Sequence, residues 1–110
     1  MLNPERIASL LLLATLGFAA QSQILIGQTT AVTGAVAATV KETGIGARLN
    51  LDAINARGGI GGEAIELITL DDQFDPKLAA ANARTLIEER KVVALFMTRG
   101  TPHTEAVIPL

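Results

Sequence analysis

The sequence predicts an α/β fold built on a doubly wound parallel sheet, with strand order 2-1-3, and three observations predict it. Strand-like runs at 24–30, 64–70 and 92–96 alternate with helical patterns, and that alternation calls for parallel strands joined by helical crossovers. The second run carries Glu66, which suits a sheet edge. The third, Val92-Val93-Ala94-Leu95-Phe96, is apolar throughout, the composition of a strand covered on both faces. Right-handed crossovers then leave strand one in the middle.

Each element has its own signal. Strand one, Ile24-Leu25-Ile26-Gly27-Gln28-Thr29-Thr30, starts apolar and leads into the loop Ala31-Val32-Thr33-Gly34. The first helix is predicted to begin between Ala35 and Thr39 and to run to Arg57. Val40, Gly44, Ala47, Leu51 and Ile54 recur at alternating spacings of four and three, which is one helical face. Lys41, Arg48, Asn55 and Arg57 fall off that face. A base in the last turn followed by Gly58 is a normal helix end. In strand two, Ile65, Leu67 and Thr69 alternate with Glu66, Ile68 and Leu70. Asp75 and Pro76 open the second helix as N-cap and first helical residue. Ala79, Ala83, Leu86 and Ile87 give that helix its apolar stripe, and it ends near Glu89-Arg90-Lys91. A third helix begins after strand three, with Thr101 as N-cap and Pro102 in the first turn.

The N-terminus reads differently. A short start with Arg6 precedes the apolar run 7–20, IASLLLLATLGFAA. That run is short of the roughly 20 apolar residues a bilayer span needs. Its layout of a basic start, an apolar middle and small residues at the end is that of a cleavable secretory signal. Residues 1–22 are therefore expected to be a signal peptide, cut after Ala19 or Ser22, and 23–110 the folded part. There is no cysteine, so no disulfide, thiol chemistry, cysteine-rich metal site or lipid-anchored cysteine is available. The formal charge is −2, with acids and bases interspersed, and three Phe stand alone without Trp or Tyr. That composition offers neither the basic face nor the stacking platforms of a nucleic-acid binder.

In a 2-1-3 sheet the connections leave strand one in opposite directions, so the ligand crevice opens between the loops after strands one and three. The second of these, Met97-Thr98-Arg99-Gly100-Thr101-Pro102-His103-Thr104, ends as a helix start with free backbone N–H groups, a setting that favours an anion. The Thr101 hydroxyl is placed to donate to a carboxylate, or else simply caps its helix. Arg99 either meets an anion or faces water. His103 has no Ser or Cys partner at a recognisable spacing, and a solvated position at the helix start is expected for it. Two other constellations offer little. The glycines at 58, 59, 61 and 62 follow a helix and precede a strand, the reverse of a dinucleotide-binding loop, and form a turn. Asp71, Asp72 and Asp75 crowd a strand end where Mg²⁺ or a phosphoryl group could bind, but that strand lies away from the crevice and Asp75 is needed as a cap. No catalytic set and no cofactor motif is present.

GQTTAVTG after strand one, NLDAINARGGIGGEAIELITLDD, DPKLAAANARTLIEE and the GTPHT loop occur here in order. Together they resemble the type I periplasmic binding proteins, and more narrowly the leucine/isoleucine/valine-binding branch, the receptors of ABC importers. INARGGIGG and LDDQFDP are the most specific parts. The resemblance implies a non-enzymatic receptor in which two α/β lobes close over an amino acid or related small carboxylate. It implies a periplasmic location, an ABC membrane permease as partner, and a chain several times longer, of which residues 23–110 are the start of the first lobe. It also implies that Thr101, with Gly100 and His103 beside it, holds the ligand carboxylate. Thr39 takes the first-helix position where some members place an aromatic. A ligand-sensing regulatory module of the same fold is the alternative. A small flavodoxin-like Mg²⁺ or phospho-acceptor domain is a more distant one.

Overall fold

A computed structural model describes residues 22–110; the segment read as a signal lies outside the described residues, apart from Ser22. The elements run β1 (Gln23–Thr30), α1 (Ala37–Ala56), β2 (Ala64–Asp71), α2 (Pro76–Arg84) with a π turn at Thr85–Glu89, β3 (Ala94–Leu95) and α3 (Thr101–Val107). The three strands form one parallel sheet in the order β2-β1-β3. β1 pairs with β2 along its whole length, from Gln23 opposite Ala64 to Thr30 opposite Asp71.

The helices take opposite faces of this sheet, and β1 shows why. Successive residues of a strand point to opposite sides. Gln28 and Thr30 point to the side of α1, where they share a cavity lining with Ala37, Val40 and Gly44. Gly27 points the other way, and a Cβ there would stand 3.1 Å from Leu86 Cδ1 and 3.1 Å from Val92 Cγ2. The missing side chain is what lets the π turn lie close to β1. Ala79 and Ala83 of α2 and Leu86 of the turn are fully buried, as is Ala31 just beyond β1.

The predicted face of α1, Val40, Gly44, Ala47, Leu51 and Ile54, is the half-buried one, and no residue of the helix is fully buried. The helix is fixed at its C-terminal end by Asn55. Its side-chain N–H donates to the Ile65 carbonyl at 2.8 Å, and its Oδ1 accepts from the Ile65 N–H at 2.8 Å. A side-chain amide here imitates a neighbouring strand. Asn55→Ala leaves both groups of Ile65 without a protein partner, and a loss of about 1–3 kcal/mol is expected. Urea unfolding checks this: the midpoint falls while the slope stays constant, since the exposed surface is unchanged.

The cap of α2 is as predicted, with Asp75 accepting from Lys77 N–H at 2.8 Å and Pro76 in the first turn. The π turn was not foreseen. It widens the end of α2 so that Arg90 N–H reaches Thr85 O at 3.0 Å and Val92 N–H reaches Leu86 O at 3.1 Å, which delivers the chain to β3. Strand three corrects the expectation of a strand covered on both faces. Only Ala94 and Leu95 are ladder residues, Val93 is 72% exposed and Ala94 is exposed as well. Leu86 and Val92 close over Gly27 of β1 rather than over β3. Backbone bonds from Val93 N–H to Leu25 O and from Phe96 N–H to Gly27 O, each 2.8 Å, anchor both of its ends.

Candidate functional site

The crevice lies where strand order places it. A cavity of about 380 Å³ opens between β1, α1 and the loop after β3. Its lining combines Gln28 and Thr30 of β1, Val40 and Thr43 of α1, and Met97, Thr98, Arg99 and Gly100 of the loop. Gln28 and Thr30 are buried polar residues, and Gln28 Oε1 accepts from the Thr69 hydroxyl at 3.2 Å. Arg99 is the one charged residue of this lining, and no acid joins it. A second cavity of about 360 Å³ continues under α1 past Val32, Ala38 and Ile45.

The loop after β1 is held from β2. Asp71 accepts from Val32 N–H at 2.9 Å, from Thr33 N–H at 3.2 Å, from the Thr33 hydroxyl, and from Gln73 N–H at 3.0 Å. Four donors on one carboxylate favour its charged form. The Thr33 hydroxyl first and the Gln73 N–H next, with the Thr33 and Val32 N–H groups adding less, hold the Asp71 carboxyl below its usual 3.8 against the opposing effect of desolvation. A depressed folded-state value makes this interaction fully present at neutral pH, and it is lost as pH falls through that depressed value. An NMR titration is expected to place the Asp71 midpoint below 3.8 and to show it rising toward that value in Thr33→Val. A midpoint that does not move would remove the hydroxyl as the main cause.

The loop after β3 is shaped by its backbone. Met97 (φ 54°) and Gly100 (φ 99°) both lie in the left-handed region. Gly100, not Thr101, is the N-cap of α3, and no side chain caps that helix. The Gly100 carbonyl instead accepts from Thr104 N–H at 2.9 Å and from the Thr104 hydroxyl at 3.0 Å. Thr101 is thus the first helical residue, exposed, and its hydroxyl is not spent on capping.

His103 overturns the solvated position expected for it. It is 2% exposed, and both ring nitrogens lack a hydrogen-bond partner among the described residues. Its ring stacks on Phe74, with centroids 4.6 Å apart and planes at 27°. The reason is long-range: α3 packs against α2, and the turn entering α2 presents Phe74 to it. Gly100 sits tightly against the same ring, because a Cβ there would fall 2.7 Å from His103 Nδ1.

Of the four residues expected at the site, then, Gly100 lines the cavity and His103 lies against Gly100. Thr101 is exposed on the helix start, and Thr39 is exposed on α1, where Val40 and Thr43 are the lining residues instead. Sequence reasoning missed Gln28, Thr30 and Thr43. The signal for the first two was available, since polar residues spaced by two at the end of an apolar strand mark one wetter face. The acidic residues do not converge: Asp71 faces the loop after β1, Asp72 accepts from the Thr29 hydroxyl at 3.0 Å, and Asp75 caps α2. Among the described residues no group of three His, Cys, Asp or Glu side chains could hold a metal ion.

Comparison with known proteins matches this arrangement. Residues 23–110 fit the family described as periplasmic binding protein. A Leu/Ile/Val-binding protein homolog 3 of Brucella melitensis biotype 1 is 35% identical over 102 residues, covering 90% of this chain and 28% of its own length. An amino acid binding protein of Pseudomonas aeruginosa is 38% identical over 76 residues, covering 69% of this chain and 20% of its own. Among solved structures, the branched-chain amino acid transporter substrate binding protein LivJ from Streptococcus pneumoniae, in complex with isoleucine, superposes with a TM-score of 0.75 and 32% identity, over 80% of this chain and 25% of that one. The chain thus spans about a quarter of the length of these relatives, all of which are named as binding proteins. By its sequence, its 2-1-3 sheet and these matches, the chain belongs to the periplasmic binding protein family, in the type I branch typified by leucine/isoleucine/valine-binding proteins.

Proposed function

We propose that this chain forms the opening part of the first lobe of a periplasmic substrate receptor for an ABC importer, one that binds an amino acid or a related small carboxylate. The observation that carries the reading is the crevice between α1 and the loop after β3, at the switch point of the sheet, in a chain similar to a receptor solved with isoleucine. The ligand would bridge this lobe and a second one and shift the population toward the closed form. This lobe's share is capture of the carboxylate by the exposed Thr101 hydroxyl and the backbone N–H groups of the loop ending at Gly100. His103 supports Gly100 from behind rather than reaching the ligand through solvent. Export by a cleavable signal within 1–22 and docking on a membrane permease complete the reading, and no catalytic step is part of it.

Calorimetry on the full-length protein tests it, with leucine, isoleucine and valine as first probes. Thr101→Ala is expected to weaken binding by about 1–3 kcal/mol, as loss of a hydrogen bond to a charged group does. An unchanged affinity would take Thr101 out of the site, and no binding of any amino acid would end the receptor reading.

A further inference from the structure

We propose that the dipeptide Asp71-Asp72 positions both walls of the crevice: Asp71 sets the loop after β1, and Asp72, through Phe74, sets the loop after β3. That these loops wall a ligand crevice rests on the receptor reading above; the hydrogen-bond geometry stands without it.

Adjacent residues at a strand end point to opposite faces, and these two use that to work on different loops. Asp71 accepts from both N–H groups of Val32 and Thr33 and from the Thr33 hydroxyl. Asp72 is buried, and its Oδ2 accepts from the Thr29 hydroxyl at 3.0 Å. Each then reaches two residues forward, Asp71 Oδ1 to Gln73 N–H at 3.0 Å and Asp72 Oδ1 to Phe74 N–H at 2.9 Å. Both residues so gripped have left-handed backbones, Gln73 at φ 52° and Phe74 at φ 62°, a conformation that side-chain-bearing residues hold only when their surroundings fix it. Holding Phe74 there stacks it on His103, whose ring lies against Gly100. Asn82 locks the pair to α2 by donating to the Asp71 carbonyl at 2.9 Å and to Thr29 Oγ1 at 3.3 Å. Asp71 thus spends its acceptors on the loop after β1 and on Gln73, and Asp72 on Thr29 of β1 and on Phe74, so that Asp71 holds one wall directly and Asp72 reaches the other only through the Phe74–His103 stack.

The test uses the full-length protein with Asp71→Asn, Thr33→Val and Thr33→Ser, read by amide hydrogen exchange, thermal midpoint and L-leucine calorimetry. Exchange at Val32 and Thr33 is expected to quicken about tenfold or more in Asp71→Asn and less in Thr33→Val, as a lost hydrogen bond to a charged group predicts. Thr33→Ser restores the wild-type rates. Strand amides such as Leu67 keep their rates in every variant, and leucine affinity falls in the same order as loop protection. Unchanged exchange at Val32 and Thr33 overturns the proposal. So does a uniform rise across all amides with a lower midpoint, which would make Asp71 a general stabiliser, and so does a loosened loop with leucine affinity intact. If the unmodified protein binds neither leucine nor any other amino acid, the receptor reading falls, and the exchange order alone still decides whether Asp71 sets the loop. For the second wall, Asp72→Asn is expected to shift the His103 ring protons, which sense the Phe74 ring. Where that variant does not fold, Thr29→Val gives the same reading, and unmoved His103 shifts overturn this half.

Discussion

Leu86→Ala is expected to lower the free energy of unfolding by about 2–5 kcal/mol, the range for removing a fully buried leucine. Leu86 is 0% exposed and is the largest fully buried apolar side chain among the described residues. It sits in the π turn, where it covers the bare backbone of Gly27 on β1. Among the described residues the other fully buried apolar ones are alanines at 31, 79 and 83, and of the side chains over Gly27 only Val92 would remain. A domain of this size has a net stability on the order of 5–15 kcal/mol, and the variant could lose a large fraction of it. Urea unfolding measures the loss. Leu86→Met, which keeps the volume, is expected to cost less than about 1.5 kcal/mol, and equal losses in the two variants would show that the site is not tightly packed.

Gly59→Ala is expected to be of similar size for a different reason. Gly59 has φ +74°, and an added Cβ would stand 1.9 Å from the Glu63 carbonyl oxygen and 2.5 Å from its carbon. Both are backbone atoms held in place, because Ile60 and Glu63 exchange N–H···O bonds of 2.9 and 3.0 Å across the turn. The turn would have to open, detaching α1 from the start of β2. A left-handed backbone costs a side-chain-bearing residue about 1–2 kcal/mol, and forcing atoms into an occupied place adds about 1–3 kcal/mol. Gly61→Ala is the control. It has φ +59° with nothing within 4 Å, so only the backbone cost of about 1–2 kcal/mol applies. Thermal unfolding of the two variants side by side decides the matter, and a Gly59 variant no worse than the Gly61 variant would rule out the clash.

What the sequence made legible is what local chemistry determines. The face of α1 could be read from spacing because a helix repeats every 3.6 residues whatever lies opposite. The opening of α2 could be read because Asp75 caps through a bond to a residue two positions on. The 2-1-3 order followed from handedness and from Glu66 at an edge. Most of the misreadings involve partners far along the chain. The apolar run at 92–96 carries no record of what packs over it, and its composition predicts cover on both faces although Val93 and Ala94 are exposed. His103 has nothing nearby in sequence to bury it; Phe74 does so from the other end of α2. Thr101 had the chemistry of an N-cap, but the left-handed backbone at Gly100 moved the cap one residue earlier. Asp71 and Asp72 have the look of metal ligands in sequence because their role depends on register, which brings Thr30 opposite Asp71 only in the folded sheet.

The central position of β1 also has a consequence for the time before the fold exists. Its partners come later in the chain without exception: Gln23 meets Ala64 on one side, and Ile26 meets Ala94 on the other. On a ribosome adding about 5–20 residues per second, the middle strand waits roughly 2–8 s after Thr30 is made before Asp71 completes its first neighbour. Ile24, Leu25 and Ile26 spend that interval uncovered, and the second flank stays open longer still. The strand with most hydrogen-bond partners in the finished sheet is the one left longest without any during synthesis, so holding it apart from other nascent chains is the first requirement for making this protein.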